Sequence, residues 1–382
     1  MPRRVGICAV AQTTYEPDKW TERFQGLALE VLESIQAKTG VDFSEDQGIG
    51  MSISVSDDIF DARTISDNAM TDVLGAHFGC EEKVAQEGIR ALYYGLAAIQ
   101  SGYVDVVLIV GHCKESQGKS RNMVTHVAFD PFFTRPVGLE YCAAAGLQAQ
   151  AYMDQSGLTE EQLAAVVVRS RENALKNDRL PGIEAVTVEQ VMRSPMLADP
   201  IRQLHAYPVS DGAVGLLLAA EERVDAFTGA PVWITGVGNC MDSFFLGDRD
   251  LASNFALKKA ARRAYQRAGI ADPKTAFDVV EVSDLYAYQQ PMWLEGLGIC
   301  DAGTGGMAVG STGCGKTVVN PSGGTLAGNP MILGGMVRAA EAALQLMGKA
   351  DGHQVENASA ALAHGVMGPA GQFHSVVTLA RG

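Results

Sequence analysis

Several side chains in this 382-residue chain have the types and spacing to do chemistry. His364 carries an imidazole, and an unperturbed histidine titrates at about 6.5, which suits proton transfer near neutrality. Asp284, Tyr286 and Tyr288 alternate, so an extended backbone would place them on one face. His112 and Cys113 are neighbours, which invites a nucleophile reading. Adjacent residues on a strand point to opposite faces, however, so they would not form a dyad directly. The run Gly310-Ser-Thr-Gly-Cys-Gly315-Lys316-Thr317 fits GxxxxGK[ST] letter for letter. A true phosphate loop opens a helix whose first N–H groups cradle the ligand. Here Val318 and Val319 favour extended chain, and Pro321 with Gly323 and Gly324 would break a helix. The run reads as a glycine-rich hairpin tip.

The cysteines fall at 8, 80, 113, 142, 240, 300 and 314, with no CxxC pair. Odd in number and scattered, they read as reduced thiols of a cytoplasmic protein, not as a disulfide frame or a zinc site. No metal is expected. Cys142 and Cys314 read as packing residues.

The elements that must position these groups follow from composition and periodicity. Hydrophobic residues make up 47% of the chain and charged residues 19%, against about 25% charged in average domains. That balance implies a large buried core and excludes a disordered or coiled-coil protein. Net charge is −14 without long basic runs, a poor match for nucleic acid. No stretch reaches membrane-spanning length, and the N-terminal apolar run is too short for a signal peptide. Glycine supplies 42 residues, which points to tight turns and close backbone approaches.

Apolar strand runs at 4–10 and 231–237 each lead into a helix of period 3.6, over 23–38 and 254–268. Strands at 48–55 and 277–282 follow. Each half then has a further helix and strand: 89–100 with 104–110, and 331–347 with 359–363. Order repeats more clearly than sequence does. The pattern predicts two fused βαβαβ halves of an α/β protein, 1–230 and 231–382. The first half includes an insertion over 115–230, with a helix at 140–156 and an amphipathic segment from Thr159. A last strand spans 375–379.

At this point the motifs resemble a family. Ile99-Gln-Ser-Gly-Tyr-Val-Asp-Val-Val-Leu-Ile-Val-Gly111 is similar to the central strand segment of thiolases. Val319-Asn-Pro-Ser-Gly-Gly-Thr-Leu-Ala-Gly-Asn-Pro330 resembles their loop ending in Gly-His-Pro, and Tyr207-Pro-Val-Ser-Asp-Gly-Ala213 their S-D-G-A turn. Ala340-Glu341, Gln345-Leu346 and Ala363-His-Gly-Val-Met-Gly368 complete the order. The likeness is nearest to the sterol-carrier-type and archaeal-type branch. It implies the five-layer αβαβα thiolase fold and a homodimer. It also implies an acyl-CoA substrate, with coenzyme A as the substrate moiety, and a small OB-fold/zinc-ribbon partner of the DUF35 class.

The working positions depart from the family. Thiolases acylate a cysteine at the start of a buried helix; the matching position here is Ala85, and Cys80 lies five residues earlier. The His-Asp-Cys-Phe motif becomes Ser283-Asp284-Leu285-Tyr286, the Gly-His-Pro histidine becomes Asn329, and the late Cys-x-Gly becomes His364-Gly-Val. Alanine cannot attack a thioester. The resemblance therefore implies carbonyl polarisation by Asn329 and proton transfer by His364, helped by Asp284 or Tyr286, with Ser283 beside them. This is similar to thiolase-like steroid side-chain aldolases. Glu87, two residues past Ala85, is placed to fill the vacated space as a base with a raised pKa. Cys80, His112 and Cys113 are lesser candidates. The reaction implied is thiolytic or retro-aldol cleavage, or its reverse; the rival is a non-catalytic pseudo-thiolase subunit.

Overall fold

The computed structural model describes residues 3–44, 48–59, 66–118, 121–306, 313–328 and 330–382. Asn329 and the first three residues of the phosphate-loop lookalike, 310–312, lie outside them.

Thirteen strands are assigned among the described residues: β1 (Val5–Gln12), β2 (Met51–Val55), β3 (Glu81–Val84), β4 (Val106–Cys113), β5 (Met196–Ala198), β6 (Ile201–Arg202), β7 (Gly212–Ala220), β8 (Val232–Met241), β9 (Val279–Val282), β10 (Gly313–Cys314), β11 (Thr317–Val319), β12 (Ala360–Met367) and β13 (Phe373–Arg381). Eleven form one sheet in the order β10-β11-β9-β12-β13-β8-β1-β7-β4-β2-β3. The arrangement mirrors itself about the β8–β1 seam. On one side β3, β2 and β4 run parallel and β7 and β1 antiparallel. On the other, β11, β9 and β12 run parallel and β13 and β8 antiparallel.

The element order read from sequence is present, with further strands beside it. The nine-residue β7 is wholly buried. The short edge strand β3 lies beside β2. Thr317–Val319 pairs with Gly313–Cys314 as a hairpin, not as the mouth of a helix.

Strand alternation separates two cores. In β4, Val106, Leu108 and Val110 face the helix α1 (Phe24–Thr39), which buries Phe24, Leu27, Val31 and Ile35 there. Val107 and Ile109 face the other way, into the central layer. A strand apolar on both faces must be covered on both sides.

The central layer holds α2 (Gly88–Gln100) and α7 (Gly334–Met347), which touch each other. Between them in sequence lie α3 (Tyr141–Ser156) and α4 (Glu160–Ala174) of the insertion, then α5 (Phe255–Ala268) outside β8 and β13, and α6 (Gln289–Gly296). Nearly all of α7 is buried, against strands of both sides of the seam.

Burial alone would let α7 slide along its axis. An ion pair fixes it. Arg338 Nη1 meets Glu281 Oε2 of β9 at 2.7 Å and Ser322 Oγ at 2.6 Å, with both charged side chains almost wholly enclosed. A buried charge without its partner is costly. Arg338→Met is therefore expected to lower unfolding free energy by about 3–5 kcal/mol, and Arg338→Met with Glu281→Leu to recover most of it. Urea denaturation checks this; equal stability of the single variant and the parent would contradict it.

Candidate active site

The two central helices begin side by side. The Gly88 amide donates to the Ile332 carbonyl at 3.1 Å, tying the start of α2 to the turn that enters α7. Glu87 caps α2, and both its oxygens accept from the Ile89 amide, at 3.1 and 3.0 Å. Its side chain is buried and lies against Gly335 in the first turn of α7 and against Gly365 in β12. A β-carbon on either glycine would overlap the carboxylate. An acid thus sits where two helix N-termini meet, and helix N-termini favour negative charge. Burial nonetheless dominates and pushes the Glu87 carboxyl up to about 7, while the Ile89 amide pulls it down.

Ala85 is exposed, in the turn before Glu87. The position that the sequence motif matches to a nucleophile therefore carries no side chain toward Glu87, and Glu87 stands at the start of α2.

His364 was expected to share the site with Glu87. The strand places it elsewhere. Gly365 and its cross-strand partner Ser375 face Glu87, so His364 projects from the opposite face of β12. There its Nε2 lies 3.0 Å from Nδ1 of His374, with Trp293 edge-on to both rings. Nδ1 of His364 is buried without a hydrogen-bond partner. Burial, and then the neighbouring His374, hold the His364 ring well below its ordinary pKa. Burial, and then the charge of Arg249, bring His374 to about 3. The pair is neutral at physiological pH, which corrects the expectation of a histidine titrating near neutrality.

Ser283 follows β9. Its amide donates to the His364 carbonyl at 3.1 Å, and its own carbonyl accepts from Trp293 Nε1 at 3.1 Å. Its hydroxyl is buried and has no hydrogen-bond partner. It lines a narrow cleft with Gly334, Leu285, Ile332 and Val366, whose volume is about 20 Å³.

Asp284 and the tyrosines do not share a face, because the chain turns into α6 instead of extending. The Asp284 carboxylate accepts from the Thr325 amide (2.7 Å), Gln290 (2.7 Å) and Asn320 (3.0 Å). It holds the loop after β11 in place. Tyr286 packs between Tyr207 and Tyr288, and the Tyr288 hydroxyl donates to Gln148 at 2.8 Å.

The thiol candidates are dispersed. Cys80 precedes β3, at the end of the sheet opposite Glu87. His112 packs on Phe24 on the α1 side, while Cys113 faces the central core, as alternation requires. Burial pushes Cys142 up to about 12. Cys300 is disulfide-bonded, which corrects the reading of seven reduced thiols. Among the described residues no cluster of metal-ligating side chains occurs.

Sequence reasoning missed Gly335, Gly365, Ser375 and His374. Period-two alternation along 360–367 and 373–381 was the signal that separates His364 from Gly365.

A family model described as thiolase C-terminal domain-like matches residues 240–381. The acetyl-CoA acetyltransferase of Methanothermobacter thermautotrophicus is 35% identical over 295 residues, 76% of each chain. The benzoylsuccinyl-CoA thiolase subunit BbsB of Thauera aromatica is 25% identical over 72% of each. The Ltp2-ChsH2(DUF35) aldolase superposes with a TM-score of 0.81 at 19% identity, over 99% of this chain and 98% of that one. A monomeric SCP2-thiolase-like protein of Mycobacterium smegmatis gives 0.74 at 18% identity, over 100% and 77%. The two structural likenesses speak to fold: α/β with a large central sheet and covering helices, the thiolase fold.

The buried acid makes a sign-specific prediction. A carboxyl whose folded pKa is raised from 4.5 to about 7 contributes stability below pH 4.5 that is lost as pH rises through 7. Glu87→Gln removes that loss. The variant is expected to be more stable than the parent at pH 8, by up to about 3 kcal/mol, with the difference vanishing toward pH 4.5. Thermal unfolding across pH checks this; parallel pH profiles would contradict it.

Proposed function

The chain belongs to the thiolase superfamily, on its sterol-carrier-type branch, and on that premise we propose that it makes or breaks a carbon–carbon bond in a CoA thioester without an acyl-cysteine. One observation carries the reading: a carboxyl group with pKa near 7, not a thiol, occupies the start of the central helix. A carboxylate poised near neutral pH suits proton abstraction.

In the cleavage direction Glu87 takes the proton of a β-hydroxyl. The carbon–carbon bonding electrons move to the thioester carbonyl, an aldehyde or ketone departs, and an enolate remains. The Ser283 hydroxyl and the positive end of α7 stabilise the enolate oxygen. The Glu87 carboxylic acid then returns its proton to the α-carbon, releasing the shortened acyl-CoA. Gly334 lines the cleft, and Gly335, next to it, touches the carboxylate, which supports a place for the acid beside the cleft. Tyr286 and Asp284 act by shaping the loop and aromatic wall. Asn329, read from the sequence as the donor that polarises the thioester carbonyl, keeps that proposed role.

The proposal extends to assembly. The name of the aldolase neighbour joins it to a DUF35 protein, and BbsB is a subunit, which supports a small OB-fold partner of that class here. The open edge of β3 supports pairing with a second copy. No helix among the described residues is long and apolar enough to cross a membrane; a cytoplasmic setting belongs to the proposal.

The narrowness of the cleft favours one second reading, a non-catalytic thiolase-like subunit. Cleavage assays with 3-hydroxyacyl-CoA and 3-ketoacyl-CoA esters, with and without the small partner, separate the two. The enzyme reading predicts an aldehyde or ketone plus one acyl-CoA. Glu87→Gln should lower kcat by about 10²–10⁴ and Ser283→Ala by about 10²–10³. Replacing Cys80 and Cys113 by Ala should leave the rate unchanged. An acylated cysteine by mass spectrometry, or two acyl-CoA products, would overturn it; no turnover under any condition would favour the subunit.

A further inference from the structure

The turn entering α7 contains a β-branched residue in a conformation that favours glycine. Leu333 donates its amide to the Pro330 carbonyl at 2.9 Å, closing a four-residue turn, and its third position, Ile332, has φ +74°. Glycine or asparagine is usual at such a position, because a β-carbon there crowds the backbone. The Ile332 carbonyl is held by the Gly88 amide, so the strain cannot relax without releasing the start of α2. Strain of this kind persists where the surrounding structure enforces it, and it collects at functional sites.

The side chain that the strain carries points into the cleft. Ile332 lines the cavity of about 20 Å³ beside Ser283 and Gly334, and it is nearly buried. A space of that size holds roughly one water molecule or one methyl group.

We propose that Ile332 is a specificity-determining residue that restricts the acyl unit seated between Ser283 and Gly334 to two or three carbons. This rests on the acyl-thioester reading given above. Met331 and Met367 form the adjoining wall, and unbranched methionines adapt to a substrate's outline. A branched side chain on a strained backbone does not.

The test measures binding of acetyl-CoA and octanoyl-CoA to the full chain and to Ile332→Gly and Ile332→Ala, with thermal unfolding of each. The ratio of octanoyl-CoA to acetyl-CoA Kd should fall by about tenfold or more in Ile332→Gly, since a few methylene groups in an apolar pocket discriminate on that scale. Ile332→Ala should move it the same way, and it supplies the ratio if the glycine variant does not fold. In unfolding, glycine at 332 should be more stable than alanine, the reverse of their usual order, because only glycine relieves the left-handed backbone. An unchanged Kd ratio with both esters bound overturns the proposal and leaves the acyl-thioester reading standing. An alanine variant as stable as the glycine variant overturns the strain on which the proposal is built. If neither ester binds any of the three proteins, the acyl-thioester reading is overturned, and this proposal with it.

Discussion

The Glu87 carboxylate, lodged where α2 and α7 begin, is the constraint around which the centre of this molecule is arranged. A charged group in that position needs a hydrogen-bond donor, and the Ile89 amide supplies one to both oxygens. It also needs space. Gly335 and Gly365 provide it, since a β-carbon on either would occupy the same volume. Burial wins over the donor, so the acid holds its proton to near neutral pH. On the proposed function, a carboxyl at this helix start moves a proton where a thiol would capture an acyl unit.

The rest of the fold keeps that acid in place. The mirrored sheet brings α2 and α7 together in the central layer, and the Arg338–Glu281 pair sets the position of α7 along β9. The insertion also contributes: Asn173 and Asn177 donate to the Asn320 and Ser322 carbonyls at 3.0 Å, holding the loop that Asp284 grips from the other side. Asp284 thus matters through the backbone it positions. His364 and His374 share a different environment, buried against Trp293, where burial favours their neutral forms.

Much of the architecture was legible in the residues. Helices such as 254–268 announce themselves by apolar spacing, and β4 by an unbroken apolar run. The strand β7 was passed over because Gly212–Ala220 follows a long insertion and lacks alternation, being buried on both faces. The site was harder to read. Motif matching placed Ala85 at the helix start, yet the chain turns so that Ala85 is exposed and Glu87 points inward. It also grouped His364 with Glu87, although one residue of strand register sends them to opposite faces. Residue type alone gives His364 an ordinary pKa, while its burial depends on Trp293 and His374, which come near only in the fold. Nothing in sequence marks Ile332 as left-handed, because that conformation is imposed by the turn and by the hydrogen bond from Gly88.

The near-neutral acid at the helix start can be observed by following carboxyl carbons in protein labelled with ¹³C at the glutamate side chain. One resonance should titrate near pH 7 and disappear in Glu87→Gln. If every glutamate titrates in the ordinary range near pH 4–5, or the near-neutral resonance survives the substitution, the account is contradicted.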